Sequence, residues 1–370
     1  MEVIHLVLGR ANPNRMNGVN NVVYQLASRQ ALAGQEVILW GITPDLRHNY
    51  GERPFSTRLF LAQKMPFQLD FELRQALTEK KGKAIFHLHG GWIPVFSAIS
   101  AILTTQQIPF VFTPHGAYNI IAMRRNQWVK KIYFQLFEKK LLARARKIHC
   151  IGQSEVSGLQ CIFSTEKTFL LPYGFENQAD TQHAISQKDD FFIIGFVGRL
   201  DIYTKGLDLM LEAFANLIQR EKEAQLWIVG DGKQRSVLNR MITTRGLQGR
   251  VVLWGSQFGA DKEKLMHKMS LFIHPSRNEG LPSSVLEASA MGIPCLVTEA
   301  TNLAEPITSY RSGLAVANES ASALTDALIS LKKQWNKDRL MDMGKNARLM
   351  VEEAFSWSSI LSNLDKLYQS

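Results

Sequence analysis

The chain has 370 residues, too long for one ordinary core, so two domains of about 180 residues with a cleft between them are expected. Its 45% hydrophobic and 21% charged residues exclude large-scale disorder. No basic leader opens the chain and the longest apolar stretch, Ile93–Leu103, is too short to span a bilayer, so secretion and a membrane span are excluded and a cytoplasmic protein is expected.

Val3–Leu8 reads as a buried strand, Gly18–Ala33 as a helix and Glu36–Trp40 as the next strand, a β-α-β opening. Short apolar runs at Ala84–Leu88, Phe110–Thr113, Lys147–Ile151 and Thr168–Leu171 continue the rhythm of a parallel sheet. Asn177–Asp190 is polar and aperiodic, which predicts a linker. The pattern then restarts, with strands at Phe191–Val197, Gln225–Val229, Val251–Leu253, Leu271–His274 and Pro294–Val297 and helices at Leu207–Arg220, Ser236–Arg245, Lys262–Met269 and Ser283–Met291. Cys150, Cys161 and Cys295 form no Cys-x-x-Cys pair and read as small core residues in a reducing compartment.

The formal charge of +10 is uneven: residues 1–178 hold 21 Lys and Arg against 11 Asp and Glu, and the remainder 22 against 22. Residues 123–147 carry a local +8, with Glu138 their single acid. Trp128, Val129, Ile132, Tyr133, Leu136, Phe137 and Leu141 recur there at helical spacing. The segment reads either as a core-facing helix with a solvated basic edge or as a contact with an anionic membrane surface. Nucleic acid is set aside, because no binding motif accompanies the charge.

In open parallel sheets ligands bind beyond the carboxyl ends of the strands, and the informative residues follow strands here. Gly198-Arg199-Leu200-Asp201-Ile202-Tyr203-Thr204-Lys205-Gly206 places two cations and two glycines before a helix N-terminus, which suits a diphosphate. After Leu271–His274, Glu279 lies in the loop and Glu287 about one turn inside the next helix. Carboxylates there can accept from sugar and ribose hydroxyls, and the free amides of the helix start can hold phosphate oxygens. His87, His89 and His115 fall near strand ends, but a metal is not expected: the chain has no Asp-x-Asp pair, and cations with helix N-termini can offset leaving-group charge instead. Gly230-Asp231-Gly232 lacks the third glycine of a dinucleotide fingerprint.

These segments resemble retaining glycosyltransferase family 4, with its glutamate, seven residues and second glutamate. The likeness extends over nearly the whole chain through Asn17–Val23, Thr113–Tyr118, the Arg199–Lys205 loop, Val229–Gly232 and Phe355–Trp357. Two departures stand out: Asn17-Gly18 replaces a glycine pair, and Lys205 follows Arg199 by six residues rather than five. The resemblance implies an α/β GT-B fold of two Rossmann-like, doubly wound domains: 1–178 binding acceptor, 179–354 binding donor, and a helix at 355–370 crossing back to the first.

It further implies that Arg199 and Lys205 hold the donor diphosphate, Glu287 the ribose, and Glu279 with Gly280, Leu281, Ser283, Ser284 and Val285 the donor sugar. Gly18 would bring an amide to the distal phosphate, His115 would contact the transferred sugar, and Trp254 or Phe258 would stack on the base. The implied reaction is retaining, metal-independent transfer of a hexose, glucose by first choice, from UDP to a glycan or lipid-linked acceptor in polysaccharide biosynthesis. No cofactor is expected. A nucleotide-sugar epimerase and a non-catalytic nucleotide-sugar-binding module are the alternatives.

Overall fold

The computed structural model describes residues 1–11, 18–48, 50–119, 122–123, 126–175, 191–335 and 339–369. The expected linker, Asn17, Arg124 and Arg125 lie outside the described residues. The chain gathers into two compact units, Met1–Gly174 with Trp357–Ser370, and Phe175–Ser356.

In the first unit β1 (Glu2–Leu8), α1 (Gly18–Leu32), β2 (Val37–Thr43), β3 (Ser56–Leu61), α2 (Phe71–Glu79), β4 (Ala84–His89), α3 (Pro94–Thr105) and β5 (Phe110–Thr113) follow one another. A helix, α4, then runs as Gln127–Tyr133, a π-helical turn Phe134–Glu138 and Lys139–Arg144, before β6 (Lys147–Cys150), α5 (Gln153–Gln160) and β7 (Thr168–Leu170). The strands pair in parallel in the order β3-β2-β1-β4-β5-β6-β7. Side chains alternate across the strands, so Ile4, Leu6, Phe86 and Leu88 pack with α2 and α3. On the other face Val3, Val7, Ile85 and Val111 meet Val23 and Leu26 of α1 and Ile360, Leu364 and Leu367 of the helix Trp357–Gln369.

The second unit contains β8 (Phe192–Val197), α6 (Leu207–Ile218), β9 (Ala224–Val229), α7 (Arg235–Thr244), β10 (Val251–Gly255), α8 (Gly259–Met266), β11 (Leu271–His274), α9 (Ser283–Ala290), β12 (Cys295–Thr298), α10 (Ala304–Ser309), β13 (Gly313–Val316), α11 (Ala321–Trp335) and α12 (Leu340–Ala354). Its parallel sheet has the order β10-β9-β8-β11-β12-β13. The helix Trp357–Gln369, α13, belongs to the first unit. Each sheet is therefore doubly wound about its first strand, with the order reversing between β1 and β4 and between β8 and β11. Ligand crevices of such sheets open where the order reverses, which directs attention to the loops after β8 and β11.

Two strands escape the sequence reading, β3 and β13. β3 is an edge strand that alternates exposed and covered residues, so it lacks the apolar run of a central strand. β13 is a four-residue edge strand.

The apolar stripe of α4 departs from the core-facing reading. Trp128 is 76% exposed, and Val129, Ile132 and Leu136 also face outward. The π-helical turn adds a residue to the helical repeat and changes the inward face, so that Phe134, Glu138, Leu141 and Leu142 are the buried ones. Phe67 packs on Phe137 with ring centroids 4.4 Å apart, and Met65 and Phe71 beside it in sequence are exposed too. No described helix is long and apolar enough to cross a membrane.

Candidate functional site

In the second unit the loop after β8 leads to Gly206, whose φ of +65° opens α6. A Cβ there would lie 2.0 Å from the carbonyl oxygen of Pro275, so the two loops touch backbone to backbone. Arg277 locks the same contact: its guanidinium donates two bonds of 2.8 Å to the carboxylate of Asp208 and another to the carbonyl of Tyr203. The hydrogen bonds to Asp208 raise the Arg277 pKa further, so this fork is permanently charged.

Within this frame the Lys205 ammonium pairs with Glu279 Oε1, both side chains being largely covered. The same oxygen accepts from His274 Nε2 and Ser276 Oγ, each at 2.9 Å. Burial pushes the Glu279 carboxyl up, but the His274 bond and the Lys205 charge outweigh it and hold the pKa down to about 2. Burial also lowers His274, so His274 serves as a neutral donor and the lysine carries the charge. Asn302 donates to the carbonyls of Glu279 and Gly280 at 3.0 and 2.6 Å and fixes the loop from behind. On α9 the Glu287 carboxylate meets Lys262 Nζ at 2.6 Å.

In the first unit Asn20 holds the start of the loop after β1, accepting from the Ala11 amide at 2.8 Å and donating to the Leu8 carbonyl at 3.3 Å. Gly18 is exposed at the head of α1. His115 follows β5 with a φ of +57°. Its Nε2 lies 3.0 Å from His89 Nδ1 and its Nδ1 3.1 Å from the Tyr173 hydroxyl. Burial lowers its pKa to about 3. The buried Glu155 accepts from the amides of Gly116 (2.5 Å) and Ile151 (3.2 Å), and burial pushes its carboxyl up to about 7.

Two family models divide the chain between them: Glycosyltransferase Family 4 matches residues 16–175 and Glycosyl transferases group 1 matches residues 178–350. The chain belongs to glycosyltransferase family 4. It is 28% identical over 208 residues to the uncharacterized glycosyltransferase MJ1607 of Methanocaldococcus jannaschii, covering 54% of this chain and 50% of that protein. It is 23% identical over 231 residues to the capsular polysaccharide biosynthesis glycosyltransferase CapM of Staphylococcus aureus, covering 62% and 57%. The chain thus spans only about half the length of these curated relatives. Among solved structures, Anabaena Alr3699/HepE in complex with UDP-glucose aligns over 100% of this chain and 99% of its own with a TM-score of 0.72 and 16% identity, a likeness of fold. The fold is GT-B.

Of the residues that family 4 resemblance singled out, Lys205 and Glu279 are brought into direct contact. Arg199 stands at the same loop with its side chain 70% exposed, 3.9 Å from Asp201. Gly280 and Leu281 continue the Glu279 loop, and Ser283 and Ser284 form the first turn of α9. Val285 offers little: its side chain is in the core and its amide already donates to the Pro282 carbonyl at 3.1 Å. Trp254 lies edge-on to Trp227 at 5.2 Å, and Phe258 is exposed just before α8. Gly18 and His115 belong to the other unit. Sequence reasoning missed Arg277, Asp208, His274, Lys262 and Glu155. Arg277 lies between His274 and Glu279 and was legible there as a third charge beside Glu279 and Glu287; Lys262 looked like any surface lysine of a helix.

The depressed pKa of Glu279 has a measurable effect on stability. Its folded value of about 2 lies below the ordinary 4.5, so its stabilisation is complete above about pH 4.5 and is lost as the pH falls through about 2. Chemical denaturation should find Glu279→Gln less stable than the parent by about 3 kcal/mol at neutral pH. That gap should narrow from about pH 5 downward; a gap that is constant with pH would mean that the carboxylate is not held by this pairing.

Proposed function

We propose that the protein is a retaining, metal-independent hexosyltransferase that moves a sugar, glucose by first choice, from UDP to a glycan or lipid-linked acceptor in polysaccharide biosynthesis. The observation that carries this reading is the Lys205–Glu279 pair, set between the loops of the strand-order reversal and next to the first turn of α9. Lys205, Arg199 and the free amides of that turn present positive charge to a diphosphate, and the effect grows as the leaving group gains charge. Glu279 and Glu287 are ionised acceptors for sugar and ribose hydroxyls, each held in place by a lysine. The sequence has no Asp-x-Asp pair to hold a metal. The UDP-glucose complex of HepE and the capsular role of CapM support the choice of donor and pathway class.

Release of nucleoside diphosphate from a panel of sugar donors tests this reading. UDP should appear from a UDP-hexose, and Glu287→Ala should weaken UDP binding by about 1.5–3 kcal/mol in calorimetry. Conversion of the donor to an isomer without release would identify an epimerase instead, and tight binding with neither product a binding module.

The same reading places the enzyme on the inner, anionic surface of the membrane through α4. Its support is the outward stripe Trp128, Val129, Ile132 and Leu136 flanked by exposed Lys131, Lys139 and Lys140, while the one acid, Glu138, is turned into the core. Apolar side chains enter the acyl boundary, and each cation near the surface adds about 1 kcal/mol. Changing Lys131, Lys139 and Lys140 to Gln should abolish the preference for anionic over neutral vesicles. Changing Trp128 and Ile132 to Ser should weaken binding while leaving its salt sensitivity. Equal binding to both vesicle types by the unaltered protein, or none to either, would refute the membrane contact.

A further inference from the structure

Five histidines line the polar seam that runs through the α1 and α13 side of the first sheet: His5 on β1, His87 and His89 on β4, His115 after β5 and His149 on β6. Burial lowers the pKa of His5 and His149 to about 4 and of His115 to about 3, and takes His87 and His89 well below the usual range. Each ring is therefore neutral, with one N–H and one lone pair. The partners then decide where each proton sits.

The Asp365 carboxylate on α13 can only accept, so the Gln35 amide nitrogen donates to it at 2.5 Å. Gln35 Oε1 consequently accepts from Gln30 Nε2 at 2.8 Å, and Gln30 Oε1 accepts from His5 Nε2 at 2.6 Å. With its Nε2 proton so placed, His5 accepts at Nδ1 from His89 Nε2, 2.9 Å away. His89 in turn accepts at Nδ1 from His115 Nε2, and His115 accepts at Nδ1 from the Tyr173 hydroxyl. A second chain is set from the other side by the Leu171 carbonyl, which only accepts. His149 Nε2 donates to it at 2.7 Å, Thr113 donates to His149 Nδ1 at 3.0 Å, and His87 Nε2 donates to Thr113 Oγ1 at 2.6 Å. The Tyr368 hydroxyl closes it at His87 Nδ1, 3.0 Å away.

His5, His87 and His89 also bring one potential ligand atom each within 4.8 Å of one another, a spacing that suits a metal ion. Here each of their lone pairs already accepts a hydrogen bond, from His89, Tyr368 and His115 respectively. The cluster satisfies itself as a directional relay.

We propose that His89, His5 and Gln30 are positioning residues for His115, holding its ring still as the Nε2–H tautomer in a direction set by Asp365 at the surface. The proposal rests on the reading of His115 as part of the donor-sugar site. A neutral, immobile ring suits that place, because the departing diphosphate leaves positive character on the sugar and an imidazolium beside it would oppose the reaction.

Asp365→Lys tests the direction without touching the core, since position 365 is exposed. The new ammonium can only donate, so Gln35 and Gln30 should turn over and pass the reversal inward. His115 should then become the Nδ1–H tautomer, read from its imidazole nitrogen chemical shifts by NMR. Turnover should fall about tenfold with the donor KM within about twofold, the scale of losing the partner that orients a functional histidine. Adding Gln35→Glu to that variant restores an acceptor toward Gln30, and should return both the tautomer and the turnover of the parent. An unchanged His115 tautomer in Asp365→Lys, or no rescue by the second change, overturns the proposal. If instead the tautomers switch as described while His115→Ala leaves turnover intact, the relay stands and the donor-sugar reading of His115 fails.

Discussion

Replacing Lys205 with alanine is expected to lower turnover by about 100-fold or more, the effect of removing one fixed donor that faces growing negative charge. Two things are lost together. The diphosphate loses an ammonium that its leaving charge would meet, and Glu279 loses the charge that holds its carboxyl near a pKa of about 2. Arg199→Ala should share the first effect and not the second, because Arg199 is exposed and does not touch Glu279. Both variants should lose more in kcat than they gain in donor KM. Steady-state kinetics against the donor, with a pH profile for the Lys205 variant, checks this. A raised KM at unchanged kcat in either would assign that cation to ground-state binding alone.

Gly206→Ala is expected to be a strongly damaging single-methyl change in the second unit. The added Cβ would come within 2.0 Å of the Pro275 carbonyl oxygen at a φ of +65°. Left-handed backbone alone costs an alanine about 1–2 kcal/mol, and the collision adds to it, since a backbone carbonyl cannot swing aside as a side chain can. A loss of about 3 kcal/mol or more in denaturant titration is expected, with activity reduced further because the loops after β8 and β11 separate. A fully active, equally stable Gly206→Ala would show that the loops do not need this contact.

The sequence revealed central strands far better than edges. β5 and β11 lie where the apolar runs put them, because a strand buried on both faces is continuous in hydrophobicity. β3 carries no such run, because as an edge strand it is covered on one side only and alternates exposed and covered residues. In the second unit Lys205 and Glu279 were visible because motif spacing reports loops after strands, whereas the Arg277–Asp208 fork depends on two loops meeting in space. The outward face of α4 was not legible: helical spacing shows that Trp128, Val129 and Ile132 share a face, but the packing of Phe134, Leu141 and Leu142 decides which face turns inward. The histidine relay was illegible for a related reason. His5 and His87 are partners in parallel register, and only the folded sheet makes neighbours of residues so far apart along the chain.

The first unit is assembled from two stretches of sequence, and this orders its birth on the ribosome. α13 is translated only after the whole of the second unit. Until it emerges, Val23, Leu26 and the seam of histidines lack the covering supplied by Ile360, Leu364, Leu367 and Tyr368. A nascent chain therefore holds an unfinished first unit with an apolar face open to solvent throughout synthesis of the second, a state in which chaperones would find a binding surface. A chain that stops before Trp357 would lack α13, and its first unit would stay unfinished on that face.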